Sequence, residues 1–273
     1  MYKFQGKNAI VTGGGAGIGR ELCMELAKAG AKVYVFDINK EFADTTVSMI
    51  SESGFQAEAV ILDMRSPSDV DAAVKMVAAK GTLDYMFNNA GVIMFGEFRD
   101  MSLEDWDRFI DCDIKSVIYG TKSAYEVMMK QGSGHIINTS SVFGLFPFAV
   151  STGYSAVKHA IVGLTLALRS EAAGFNIKVS CSCPGSVLTE VKKTYKVFHA
   201  DREKFNSFIP KQLTPHQAAV YTLKGVWKNK GIIAFPFYDK VPWYLYRMFP
   251  SLNAWLQTKL VEIFREKIRY KDE

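Results

Sequence analysis

The chain has 273 residues, the size of one large domain. Apolar residues make up 48% and charged residues 22%, the balance of an ordinary globular protein, which excludes disorder, collagen-like repeats and coiled coil. The net charge of +5, from 33 basic and 28 acidic residues, is a mild excess with its signs mixed along the chain, so nucleic acid is not an expected partner.

Seven short apolar runs read as strands: 8–12, 32–37, 57–63, 83–88, 135–138, 178–183 and 231–235. They alternate little between apolar and polar, as strands do when helices cover both faces of a parallel sheet. Between them, helical spacing occupies 17–30, 41–53, 67–80, 103–130, 155–173 and 215–229. Ser66-Pro67 and Thr214-Pro215 look like helix starts, with a capping hydroxyl before a first-turn proline. The alternation predicts one α/β domain over residues 1–235, a doubly wound parallel sheet, followed by an aromatic extension over 236–273. Four cysteines make no disulfide framework, and Cys181-x-Cys183 lacks the second pair that a zinc site needs, so no metal is expected. The start lacks the apolar core of a signal peptide, and no apolar run reaches the ~18 residues of a spanning helix; a cytoplasmic protein is the expectation.

Directly after the first strand comes Thr12-Gly13-Gly14-Gly15-Ala16-Gly17-Ile18-Gly19, opening a helix. Glycines at Gly13, Gly17 and Gly19 let backbone approach a pyrophosphate, and the helix N-terminus offers free N–H groups. The second strand ends at Asp37, whose carboxylate suits the two ribose hydroxyls of NAD and repels a 2′-phosphate. No lysine or arginine lies between Gly13 and Gly19, so NAD is expected over NADP.

Further on, Ser141-Val142-Phe143-Gly144 precedes Tyr154-Ser155-Ala156-Val157-Lys158. Tyr154 and Lys158, at i and i+4, share a helix face, and an ammonium beside a phenol favours the phenolate. Tyr154 is thereby a candidate general acid/base for an alcohol/carbonyl pair, with Ser141 orienting the same oxygen.

The segments TGGGAGIG (12–19), Asp37, Asp63-Met64, NNAG (88–91), INTSS (137–141), YSAVK (154–158) and PGSVLT (184–189) together resemble the short-chain dehydrogenase/reductase family, in its short single-domain branch. The resemblance covers about residues 3–235 and implies a Rossmann-type seven-stranded sheet with helices on both faces. It implies that Tyr154 is the proton donor and acceptor, Ser141 its partner, and Lys158 the residue that holds the nicotinamide ribose. By the same resemblance, Gly13, Gly17, Ile18 and Gly19 line the cofactor, Asp63 and Met64 meet the adenine, Asn89 lies along the cofactor, and Val187 and Thr189 meet the carboxamide. Asn88–Gly91 equally suits a purely structural role in the central sheet.

One position departs from the pattern. Where the family usually carries a catalytic asparagine, seven residues after a tryptophan, this chain has Trp106 and then Asp113. The aspartate either holds the lysine through a water, in the asparagine's manner, or faces the sheet and bonds backbone N–H groups.

Residues 190–212 mix Lys192, Lys193, Lys196, Arg202, Lys204 and Lys211 with Glu190, Asp201, Glu203 and the aromatics Tyr195, Phe198, Phe205 and Phe208. They read as a lid, either over an apolar substrate with an acidic end or as an amphipathic helix with a solvated basic face. Phe143, Leu145, Phe146, Phe148 and Val150 are expected to line the approach to Tyr154, favouring a hydrophobic alcohol or ketone. For the extension, three uses stay open: covering the active site, packing in a homodimer or homotetramer, or peripheral contact with a membrane surface. An NAD(H)-binding redox sensor without turnover is the competing function, left open by Asp113. An extended-branch nucleotide-sugar epimerase is disfavoured by the missing C-terminal substrate domain.

Overall fold

The computed structural model describes residues 4–189, 195–207 and 212–270. Seven strands form one parallel sheet: β1 (Asn8–Thr12), β2 (Lys32–Asp37), β3 (Ala57–Ile61), β4 (Tyr85–Asn88), β6 (Gly134–Thr139), β7 (Ile177–Pro184) and β9 (Ile232–Phe235). Their order is β3-β2-β1-β4-β6-β7-β9. A small parallel ribbon pairs β5 (Met94–Phe95) with β8 (Lys196–Val197) outside this sheet. The doubly wound α/β sheet predicted from the sequence is therefore the observed architecture.

Both faces of the sheet are buried, which explains why its strands read as unbroken apolar runs. Ala9 and Val11 of β1, with Val33 and Val35 of β2, face α1 (Gly17–Lys28), α2 (Lys40–Glu52) and α8 (Pro215–Trp227). The alternate residues Ile10, Tyr34 and Phe36 face α3 (Pro67–Ala79), α5 (Ser116–Gln131) and the end of α6 (Thr152–Ala172). The winding reverses between β1 and β4, so their C-terminal ends open a crevice, the usual ligand position in such sheets.

The helix expected over 103–130 is three pieces: α4 (Leu103–Phe109), a π-helical turn (Ile110–Lys115) and α5. Thr214 caps α8 as expected, accepting from the Gln217 N–H at 3.1 Å. Ser66 does not cap α3; its hydroxyl lies 3.4 Å from that of Ser68. After β9 come α9 (Lys240–Met248) and α10 (Pro250–Lys267). No helix among the described residues is long and apolar enough to cross a membrane.

Candidate active site

The glycine loop turns from β1 into α1 over the crevice. A Cβ at Gly19 would run into the Gly13 carbonyl, and one at Gly17 would press on Thr189 at 3.3 Å. Side chains are thus excluded where the loop folds on itself and where the 184–189 segment meets it. Ala16 precedes α1 and offers no side-chain cap, so the first-turn N–H groups are not answered by a capping side chain. That is a donor set suited to a pyrophosphate. Ile18 packs partly into the core beneath.

Asp37 sits at the crevice with its carboxylate fixed, accepting from the Gly15 N–H and the Asn39 N–H, each at 2.9 Å. One residue beyond Gly19 the chain carries a cation. Arg20 reaches back to the Gly15 carbonyl at 3.0 and 2.6 Å. Asp63 is paired with Arg65 at 2.6 Å, and that hydrogen bond holds its carboxyl below the usual carboxylate range. Met64 is buried in the cluster that holds Phe36. Asn89 accounts for part of the loop's shape: its backbone N–H donates to the Thr12 hydroxyl at 2.9 Å and its side-chain amide to the Thr12 carbonyl at 3.1 Å. Asn88 is buried and bonds Asn138 at 2.8 Å and Thr121 at 3.1 Å, tying β4 to β6 and α5. Val187 is buried and bridges Leu213. These residues, brought to one crevice, fit a nicotinamide dinucleotide: helix N–H groups for its phosphates, a fixed carboxylate for a ribose.

The reacting set lies at the adjoining strand ends. Ser141 stands just past β6 and opens a short 3₁₀ turn (Val142–Gly144), its hydroxyl accepting from the Phe143 N–H at 3.2 Å. Tyr154 is half-buried in the first turn of α6, and the buried Lys158 follows one turn later, its Nζ 5.3 Å from the Tyr154 ring centre. Burial pushes the Tyr154 phenol above its ordinary value; Lys158 and the Ser141 hydroxyl pull it down, while Asp113 pushes it further up.

Asp113 lies in the π-helical turn, wholly buried, and touches Lys158 Nζ directly at 2.7 Å. Its other carboxylate oxygen accepts from the Val92 N–H at 3.1 Å. Asp113 therefore bonds a backbone N–H, as one expectation had it, and it meets the lysine directly where the other expectation placed a water between them. Gly91 makes room for it: a Cβ there would come within 2.6 Å of the carboxylate. Burial alone would lower the Lys158 ammonium, but Asp113 and Tyr154 outweigh it and raise it. The Lys158 Nζ also lies 3.4 Å from the Thr139 carbonyl. The widened turn is the kind of helix defect that recurs where a side chain is aimed at a site.

Around Tyr154 stand the rings of Phe95, Phe109 and Phe143, with centres 6.4, 6.3 and 6.4 Å away. Phe148 stacks on Phe143 at 4.3 Å. Leu145 and Phe146 are buried in a cluster with Ile161 and Cys181, against which Phe143 and Phe148 also pack, and the Phe146 ring centre lies 5.9 Å from that of Phe143. Val150 is buried with Phe95 in the apolar wall beside Tyr154. Of the 190–212 segment, Tyr195 and Phe205 join that wall and Phe198 packs near Phe109. Lys196 pairs with Asp105 at 3.0 Å. Glu190, Lys192, Lys193, Phe208 and Lys211 lie outside the described residues.

The C-terminal helices close this side. Phe264 and Ile268 pack with Phe205 and Phe95, and Trp243 and Tyr246 pack with Phe143 and Phe148. Gln257 accepts from the Ala149 N–H at 2.8 Å. Arg265 donates to Glu97 at 2.8 Å and Arg269 to Asp100 at 3.0 Å. No signal in the local sequence pairs these residues, and the clamp is absent from the sequence expectations.

Comparison with known proteins agrees with this geometry. The short chain dehydrogenase family model matches residues 7–198. The SadH protein of Mycobacterium tuberculosis is 35% identical over 238 residues, covering 85% of this chain and 86% of its own. A cyclohexanol dehydrogenase of an Acinetobacter species is 37% identical, over 68% of this chain and 75% of its own. Among solved structures, a short chain dehydrogenase/reductase from Burkholderia phymatum in complex with NAD superposes with a TM-score of 0.83 at 26% identity, covering 92% and 96% of the two chains. A NAD(P)-dependent gluconate 5-dehydrogenase from Beutenbergia cavernae with bound NADP gives 0.74 at 27%, covering 85% and 96%. A sheet of this order, a glycine loop at its switch point and a tyrosine and lysine one helical turn apart at the strand ends are thus found in a chain that belongs to the short-chain dehydrogenase family of oxidoreductases.

Proposed function

We propose that this protein interconverts a hydrophobic secondary alcohol and its ketone, using NAD(H), with Tyr154 as the general acid/base. The observation that carries the reading is the half-buried Tyr154, flanked by three phenyl rings and backed by the Lys158 ammonium. Rings on several sides favour an apolar substrate, and the named cyclohexanol dehydrogenase relative is compatible with that class.

When bound, the nicotinamide cofactor takes or supplies the hydride; the chain's residues handle the proton. In oxidation, Tyr154 Oη accepts the alcohol's hydroxyl proton, and in reduction it returns that proton to the carbonyl oxygen. Ser141 donates to the same oxygen and holds it beside Tyr154. Lys158 favours the phenolate by its charge and binds the nicotinamide ribose, and Asp113 fixes the ammonium in place from behind. Gly13, Gly17, Ile18 and Gly19 shape the pyrophosphate cradle, while Asp63 and Met64 border the adenine and Val187 and Thr189 the carboxamide. Asp37 selects NAD by accepting from the ribose hydroxyls.

The test is NADH oxidation with a panel of hydrophobic ketones, on the native protein and on Tyr154→Phe. The variant should bind NADH normally and lose about a hundred- to ten-thousand-fold in kcat. If it keeps most of its kcat, the role given to Tyr154 is wrong. If the native protein binds NADH and turns over no ketone or alcohol, the redox-sensor reading takes its place. Assembly as a homodimer or homotetramer, also proposed from the resemblance, is checked by light scattering.

A further inference from the structure

The C-terminal helices that complete the apolar wall beside Tyr154 carry a second apolar face, turned outward. On α9, Val241, Tyr244 and Met248 recur at three- and four-residue spacing and are exposed, Met248 to 70%. On α10, Leu252, Trp255 and Leu256 form a similar exposed stripe, with Trp255 57% exposed. The inward residues of the same helices, Trp243, Tyr246 and Phe264, are those that pack on the protein. Exposed side chains of this size recur at helical spacing on two consecutive helices and are not the singly scattered apolar residues of an ordinary surface.

The charge pattern distinguishes the possible occupants. From residue 240 to 261 the chain has three cations, Lys240, Arg247 and Lys259, and no carboxylate. Asp239 and Glu262 flank this stretch, and Lys259 pairs with Glu262 at 2.6 Å. A second copy docked through this face by two-fold symmetry would set the same cations against themselves. An anionic lipid surface meets them with opposite charge, and it accepts Trp and Tyr, whose apolar bodies and polar tips suit the headgroup boundary.

We infer that the outer faces of α9 and α10 dock the protein on an anionic bilayer surface. The helices lie in the interface plane, with Tyr244 and Trp255 at the acyl boundary and Arg247 at the headgroups. This inference is independent of the reaction assigned to Tyr154, and holds whether or not that assignment does.

The experiment is flotation of the full-length protein with vesicles of phosphatidylcholine alone and of phosphatidylcholine mixed with phosphatidylglycerol. The native protein should float with the mixed vesicles and far less with the neutral ones, and added salt should weaken the difference. Arg247→Glu should lower the partition coefficient about tenfold, and Trp255→Glu with Tyr244→Glu should abolish flotation. Both variants alter exposed positions, and their NADH binding and Tm should stay native. A native protein that remains at the bottom with mixed vesicles overturns the proposal, as do folded variants that float as well as the native chain. It is equally overturned if the native protein sediments as a dimer that the Trp255→Glu, Tyr244→Glu variant dissociates, since the face then belongs to a second copy.

Discussion

The Lys158 ammonium and the Asp113 carboxylate meet at 2.7 Å, both shut away from solvent. The carboxylate stabilises the charged lysine, and it also opposes the lysine's effect on Tyr154, which is held above its ordinary value. Alcohol oxidation needs the phenolate, so its rate should rise with pH along an acidic limb set by Tyr154. Asp113→Asn removes a negative charge that favours the protonated phenol. The limb of log(kcat/KM) for oxidation should then move to lower pH, while the enzyme stays active. An unmoved limb would mean that the Asp113 charge does not reach Tyr154.

Gly91 should be intolerant of any side chain. Alanine there would place its Cβ 2.6 Å from the Asp113 carboxylate, forcing either the 91–92 backbone or the π-helical turn to shift. We expect Gly91→Ala to cost about 1–3 kcal/mol in stability, read from denaturant unfolding. Gly91→Ala should cost less in an Asp113→Ala background than in the native chain, because the clash is with the carboxylate itself, although Asp113→Ala alone is destabilising by leaving the buried Lys158 unpaired.

Cofactor preference should depend on Asp37 and Arg20 together. Asp37→Ser removes the carboxylate that repels a 2′-phosphate, and it frees the Gly15 N–H that the carboxylate now occupies. Fluorescence titration should show NADPH binding improving by roughly tenfold relative to NADH, the scale of one charge-assisted contact. Adding Arg20→Ala should take back most of the gain if the phosphate meets the guanidinium held at the Gly15 carbonyl. A gain that survives Arg20→Ala would assign the phosphate to other residues.

The tail clamp should fail in acid. Burial works against ionisation of Glu97 and Asp100, yet the arginines overcome it and hold both carboxyls below their ordinary range. A group whose folded value is depressed gives its full stabilisation above its unfolded value and loses it as pH falls toward the folded one. Hydrogen-exchange protection factors in α10, corrected for the intrinsic pH dependence of amide exchange, should therefore be constant from neutral pH down to ~4 and fall below that. Arg269→Ala should loosen α10 at neutral pH, at a cost on the order of 2–3 kcal/mol, and the difference from the native chain should shrink as the carboxyls protonate.

The sheet was readable in the sequence because helices cover both its faces, so each strand is an unbroken apolar run with a helical period on either side. Tyr154 and Lys158 were readable because one turn of helix brings i and i+4 together. What escaped depends on contacts distant in the chain. The helix predicted over 103–130 follows its local periodicity, but the π-helical turn at Ile110–Lys115 accompanies a meeting of Asp113 with Lys158 and Val92, which no local pattern encodes. Leu145 and Phe146 are as apolar as Phe143, and nothing in their order tells which is buried beside Ile161 and which meets the Tyr154 ring. Arg269 and Asp100 find each other across most of the chain's length, and the arginine alone reads as one more basic residue in a charged tail.

The position of α10 also sets an order of events during synthesis. By the time residue 235 has left the ribosome, the glycine loop and all seven strands have been made. The apolar wall beside Tyr154 still lacks Phe264 and Ile268, and its clamp still lacks Arg269. A nascent chain at that stage has its whole sheet and glycine loop, while Phe95 and Phe205 still lack the packing of the last helix, and it is exposed to off-pathway association until that helix arrives. Cofactor availability during translation would then act as a folding aid, stabilising the first 235 residues over the interval in which the rest is still being made.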